Sequence, residues 1–154
     1  MLNSIDSNVI KCLMSNARTT WAELGNLLGL SAPAAAERVR KLEEKGVIKG
    51  YHAAIDPEAV GCGLAALISI SLSTSEARDH FLSYIQDLPE ILECHHVAGD
   101  EDYILKIRCQ GTRELERLIS HKLKSVAGVS RTRTTVILST TKETSMLPLS
   151  IGEV

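Results

Sequence analysis

Apolar residues recur at helical spacing through the first forty-odd positions and then alternate, residue by residue, through much of the rest. Ile5, Val9, Ile10 and Leu13 form one stripe of a helix over about Ser4 to Ser15, which Asn16-Ala-Arg18 breaks. Leu24, Leu27 and Leu28 form the buried stripe of a second helix. Thr20 caps it, Glu23 completes a capping box, and Gly29 ends it because glycine enters a left-handed turn freely. Ser31 caps a third helix, with Pro33 in the first turn where its missing N–H is not needed. Ala35, Val39 and Leu42 point inward, and Gly46 stops the helix. Val47 to Ile55 reads as a short strand, a wing, closed by Asp56-Pro57. Two capped helices joined by a short glycine turn make a helix-turn-helix.

From residue 64 the pattern repeats in two similar units. The first is strand Leu64–Ser73, helix Ser75–Leu88, strand Ile91–Ala98; the second is strand Tyr103–Cys109, helix Thr112–Val126, strand Val129–Thr140. Leu64, Ala66, Ile68, Ile70 and Leu72 alternate onto one face, as do Tyr103, Leu105, Ile107 and Cys109. A β-α-β-β-α-β order predicts a ferredoxin-like antiparallel sheet with both helices on one side. The fold class is therefore α+β, a winged helix-turn-helix followed by a ferredoxin-like domain. Boundaries are expected at 1–50 for the head, 51–63 for a linker strand or hinge, 64–142 for the body and 143–154 for a tail. The uncovered sheet face, partly apolar, invites a second copy of the chain, sheet against sheet.

Charge sharpens this picture. The chain of 154 residues carries a net −2. Residues 1–50 hold seven basic against five acidic side chains, a net of +2, and residues 51–154 hold ten against fourteen, a net of −4. A basic head on an acidic body is the asymmetry a nucleic-acid partner predicts. Aromatics are only 3% of residues, so aliphatic side chains must fill both cores. No apolar run is long enough for a membrane span, and the N-terminus lacks the basic and apolar regions of a secretory signal. Cys12, Cys62, Cys94 and Cys109 are scattered, which suits reduced thiols and a cytoplasmic location.

Candidate chemistry depends on placement. Ser31, Ala32, Ala34 and Ala35 form the expected groove-facing tip, small enough to let the third helix sit deep in duplex DNA, with methyls for thymine. Arg38 is the expected base or deep phosphate contact, and Arg40, Lys41 and Lys45 are expected to grip the backbone. Thr20 and Trp21 open the second helix, where free N–H groups suit a phosphate. The competing reading is a solvated face with ordinary four-apart pairs, Glu37–Lys41 and Arg40–Glu44. In the body, the turn Ala98-Gly-Asp-Glu-Asp-Tyr103 offers Gly99 for close backbone approach and Asp100 or Asp102 for an ammonium group, though a plain charged turn has the same composition. His95 and His96 are adjacent in a strand and point to opposite faces, so no metal site is expected. No catalytic motif and no cofactor-binding motif is present.

The motifs run the length of the chain and together resemble the Lrp/AsnC, or feast/famine, family of regulators. They include Ile5-Asp6, Glu23-Leu24, Gly29-Leu30-Ser31, Arg38-Val39-Arg40-Lys41-Leu42-Glu43 and Gly46-Val47-Ile48 in the head. They continue with Asp56-Pro57, Glu93-Cys94-His95, Gly99-Asp100, Asp102-Tyr103, Gly128-Val129, Thr132, Thr134 and Leu147-Pro148-Leu149. The resemblance implies a transcription regulator with double-stranded DNA as partner and a ligand-sensing body. It implies homodimers that assemble into octamers or larger, and an amino-acid effector bound at a subunit interface. By position it marks Gly99, Asp100 and Asp102 as effector-site candidates, with Thr132 and Thr134 of the last strand as secondary ones. Two departures stand out: Ala98 where relatives often carry a hydroxyl, and Glu101 where an aromatic or apolar residue is common. The extra acid suggests a cationic effector or none. Two alternatives share the fold: an enzyme decarboxylating haem precursors, with His95, His96, Arg131 and Arg133 as its suspects, and a sensing module that no longer reads DNA.

Overall fold

The structure is a computed structural model that describes residues 2–149; the end of the expected tail, residues 150–154, lies outside the described residues. The chain divides into two units between Ala53 and Ala54. Residues 142–149 group with the head, and residues 54–141 form the body.

In the head, α1 (Ser4–Ser15), α2 (Trp21–Leu28) and α3 (Ala32–Glu44) appear where periodicity placed them. The start of α1 carries a device not anticipated. Asn3 caps the helix and Asp6 answers it, so each side chain accepts the other residue's backbone N–H. Thr20 and Glu23 do the same for α2, and Gly29 closes it at φ 66°. Gly25 lets the turn fold back, since a Cβ there would lie 2.7 Å from the Leu30 carbonyl oxygen. Val9, Leu13, Leu24, Ala35, Val39 and Leu42 form the head core. Leu27, expected inside, is 66% exposed: α2 has barely two turns, and Leu24 with Leu28 takes its inward side. The expected wing strand over Val47–Ile55 is not formed. The Val47 and Ile48 N–H groups both bond the Leu42 carbonyl, and among the described residues no strand of this chain pairs with the segment from Lys49 to Ile55.

The body places β1 (Leu64–Leu72), α4 (Ala77–Ile85), β2 (Ile91–His96), β3 (Tyr103–Cys109), α5 (Thr112–Arg117) and β4 (Val129–Ile137) in that order. After Arg117 the helix continues as a wider π-type stretch, Leu118–Leu123. The sheet order is β2-β3-β1-β4 and every neighbouring pair is antiparallel, the ferredoxin-like arrangement. Ala66, Ile68 and Ile70 of β1 and Tyr103, Leu105, Ile107 and Cys109 of β3 form one core with Phe81, Ile85, Leu115, Leu118, Leu123 and Val126. The strands end earlier than the sequence suggested, at Leu72, His96 and Ile137. The opposite face is more charged than expected: by register it carries Leu67, Ser69 and Ser71, Ile104, Lys106 and Arg108, Glu93 and His95, and Arg131 and Arg133. Among the described residues no helix is long and apolar enough to cross a membrane.

Candidate nucleic-acid interface and effector turn

The third helix decides which side chains reach outward. Ala35, Val39 and Leu42 are buried, so the helix turns its opposite side to solvent. Ala35 was also expected at the groove-facing tip. It is fully buried and offers no surface to a base, because it belongs to the inward stripe. Ser31 and Ala34 are exposed and Ala32 is half-buried. The Ser31 hydroxyl accepts the Ala34 N–H at 3.3 Å, satisfying one N–H of the first turn.

The basic residues of α3 fare differently from one another. Arg40 is exposed, but Glu37 takes its Nε and Nη2 at 2.9 and 2.7 Å and Glu44 takes its Nη1. The guanidinium fork is thereby occupied on its own helix. Its hydrogen bond to Arg40 holds the Glu37 carboxyl below its usual value, and Arg40 is raised in turn. Lys41 lies 3.6 Å from Glu37. Lys45, at the C-terminal end, has no ion pair among the described residues. Arg38 is turned toward α1 and donates from Nη1 to Asp6 Oδ1 at 3.0 Å. Asp6 itself went unnoticed as a partner because it is 32 positions away in sequence. Only its place three residues after Asn3, the spacing of a reciprocal cap, marks it locally.

The start of α2 is less open to a phosphate than expected. The Thr20 N–H and hydroxyl both donate to Glu23 Oε2, at 2.8 Å each. The Thr20 N–H, first among these bonds, holds the Glu23 carboxyl below its usual value, so an ionised acid already sits at this helix end. Trp21 beside it is 46% exposed.

In the body, the β2–β3 turn is fastened on two sides. Asp102 Oδ2 accepts the Leu72 N–H at 2.7 Å, and the Asp102 N–H donates to the Ile70 carbonyl. Glu101 reaches across β1 to pair with Arg133 of β4, Oε1 to Nη2 at 2.5 Å, and its side chain is only 15% exposed. Gly99 and Asp100 remain exposed at the tip, and the Asp100 carboxylate makes no ion pair among the described residues. Thr132 stands opposite Ile70, so it and Asp102 flank the same residue of β1; Thr134 stands opposite Ile68, one pair further along the sheet. The structure thus brings Asp102 and Thr132 to one end of β1 and leaves Thr134 apart. Both threonines lie on the helix side and Arg133 on the other. His95 bonds Glu93 at 2.8 Å while the His96 ring lies 5.1 Å from that of Tyr103, so the two histidines do face opposite ways. Among the described residues no three His, Cys, Asp or Glu side chains group to hold an ion.

The Lrp/AsnC ligand binding domain profile matches residues 65–147, and a winged helix-turn-helix DNA-binding profile matches residues 2–49. The chain belongs to the Lrp/AsnC family. This Lrp/AsnC protein is 36% identical to the HTH-type transcriptional regulator FL11 of Pyrococcus horikoshii, over 96% of this chain and 97% of that one. It is 37% identical to the leucine-responsive regulatory protein of Haemophilus influenzae, over 96% and 90% of the two chains. A Neisseria meningitidis transcriptional regulator, solved as a complex with L-methionine, superposes with a TM-score of 0.91 at 30% identity, over 96% of this chain and 97% of that one. The Lrp/AsnC protein is thus a DNA-binding transcriptional regulator with a ligand-binding body, and not an enzyme.

Proposed function

We propose that this regulator reads duplex DNA with the outer side of α3 and answers to an amino acid with an uncharged side chain held at the Gly99–Asp100 turn, at an interface between subunits. The observation that carries the first half is the division of α3 itself: Ala35, Val39 and Leu42 inside, Ser31, Ala34, Lys41 and Lys45 outside. Small residues lead into the groove and the two lysines reach phosphates, with Trp21 as a further backbone contact from α2. Arg40 joins them only by exchanging its glutamate partners for phosphates. One head with a net of +2 binds weakly, so a symmetric dimer, and assemblies of dimers up to octamers, multiply the phosphate contacts. Selection from a pool of random duplexes tests this reading. A recovered pseudo-palindrome with half-sites about a helical turn apart supports it, and recovery of random sequence alone overturns it.

For the effector, the N. meningitidis relative with bound L-methionine supports an amino acid. The Glu101–Arg133 pair argues against a cationic one. A carboxylate already bonded to a guanidinium is not available to lysine or arginine. Asp100 remains for the ammonium group, with Asp102 and Thr132 shaping the base of the turn. Calorimetry against the twenty amino acids is expected to show heat for methionine or leucine; a preference for lysine or arginine would sink the assignment. An effector that favours one assembly state over another then alters DNA binding by that difference in affinity.

A further inference from the structure

We infer that Arg38 and Asp6 form a positioning pair that holds the recognition helix in its DNA-binding pose, and that Arg38 acts through Asp6 rather than on DNA. Asp6 is a buried carboxylate, 7% exposed, on the first turn of α1. Its two oxygens have separate tasks. Oδ2 accepts the Asn3 N–H at 3.2 Å, closing the reciprocal cap, and Oδ1 accepts Arg38 Nη1 at 3.0 Å. The Asn3 side chain in turn accepts the Asp6 N–H at 2.8 Å, so the carboxylate's backbone is pinned as well. Arg38 lies one residue before Val39 and four before Leu42, on the border of the buried stripe, with its side chain 33% exposed. Among the described residues no other hydrogen bond or ion pair joins α1 to α3. The remaining α1–α3 contact is aliphatic packing, which is non-directional. A charge-assisted bond from a fixed carboxylate is directional, and it sets the rotation of α3 about its axis and hence where Ser31 and Ala34 point.

The inference rests on α3 being the helix that enters the groove, and the sign of one substitution separates the roles. Asp6→Asn removes a negative charge close to α3. If Arg38 contacted DNA directly, freeing it would leave affinity equal or tighter and raise the salt slope. If the pair positions α3, affinity falls although the protein becomes more positive. The experiment measures binding of a fluorescein-labelled duplex, selected from a random pool by the unmodified protein, across a salt series. Asp6→Asn and Arg38→Gln are each expected to weaken binding about tenfold with the salt slope unchanged, and the double variant to lose no more than either single one. Equal or tighter binding by Asp6→Asn overturns the inference, as does a slope lowered by about one in Arg38→Gln. Lys45→Ala reports on the α3 reading separately, since a phosphate contact there lowers the slope by about one whatever Arg38 does. Where a single variant melts below the assay temperature, the series is repeated below its melting temperature, where the same outcomes support or overturn the inference.

Discussion

At the scale of single residues, two sites have sharp consequences. Gly128 sits at φ 91°, and a Cβ there would lie 2.1 Å from the Ala77 Cβ. Gly128→Ala combines left-handed strain with overlap between two segments of the body, and is expected to cost roughly 2–4 kcal/mol, read as a lower urea midpoint. Glu90 shows how a half-buried carboxyl is kept ionised. Burial pushes it up, but the Lys122 ammonium and its own backbone N–H outweigh that, leaving it below the usual carboxylate value. A group depressed in this way stabilises the folded chain above its unfolded pKa, near 4.5, and the contribution is lost as pH falls through the lower folded value. Lys122→Met leaves burial opposed only by the backbone N–H of Glu90 itself. It is expected to cost about 1–3 kcal/mol at neutral pH, discounted for the partial exposure of the lysine, and to move the onset of acid unfolding to higher pH. Denaturant melts between pH 3 and pH 7 check both the size and the sign.

At the scale of elements, local patterns were legible and long-range ones were not. Period-3.6 stripes and caps placed α1, α2 and α3, because a helix is decided by neighbours within one turn. Ser31→Ala, which removes the cap of α3, is expected to cost about 1 kcal/mol and to lower the melting temperature of the head. Alternation placed β1 and β3, and the repeated unit placed β2 and β4, yet the reading erred at the ends of β1, β2 and β4, where hydrogen-bond partners rather than side chains set the limit. The wing failed for the same reason: Val47–Ile55 has strand-like residues but no strand of this chain to pair with among the described residues. The second body helix was expected as a plain α-helix through Val126. Instead Leu118 and Leu123, five apart and both buried, impose a wider coil, in which the Lys124 N–H bonds the Ile119 carbonyl five residues back. That five-residue gap was visible in the sequence. In the candidate site, the start of α3 at Ser31 was legible from its cap, and the exposure of Ala34 from the inward stripe of Ala35, Val39 and Leu42. The partners that occupy Arg38, Arg40 and Glu101 were harder to see: Arg38 and Glu101 bond across 32 positions each, and Arg40 takes two glutamates at once.

At the scale of the whole molecule, the two units have separate cores. Among the described residues, six buried side chains form that of the head and thirteen that of the body, with no residue in common. Smaller cores bury less apolar surface and give up less free energy on melting. Heating is therefore expected to give two calorimetric transitions rather than one, the first reporting the head. Duplex binding, followed by fluorescence anisotropy, is expected to disappear with the first transition, while heat of binding of the proposed amino-acid effector is expected to persist to the second. A single transition that removes both together would show that the units unfold cooperatively. Two melting steps would make the protein a thermometer as well as a sensor: over the interval between them the proposed small-molecule site would still be folded, while the means to report its occupancy to the genome would be gone.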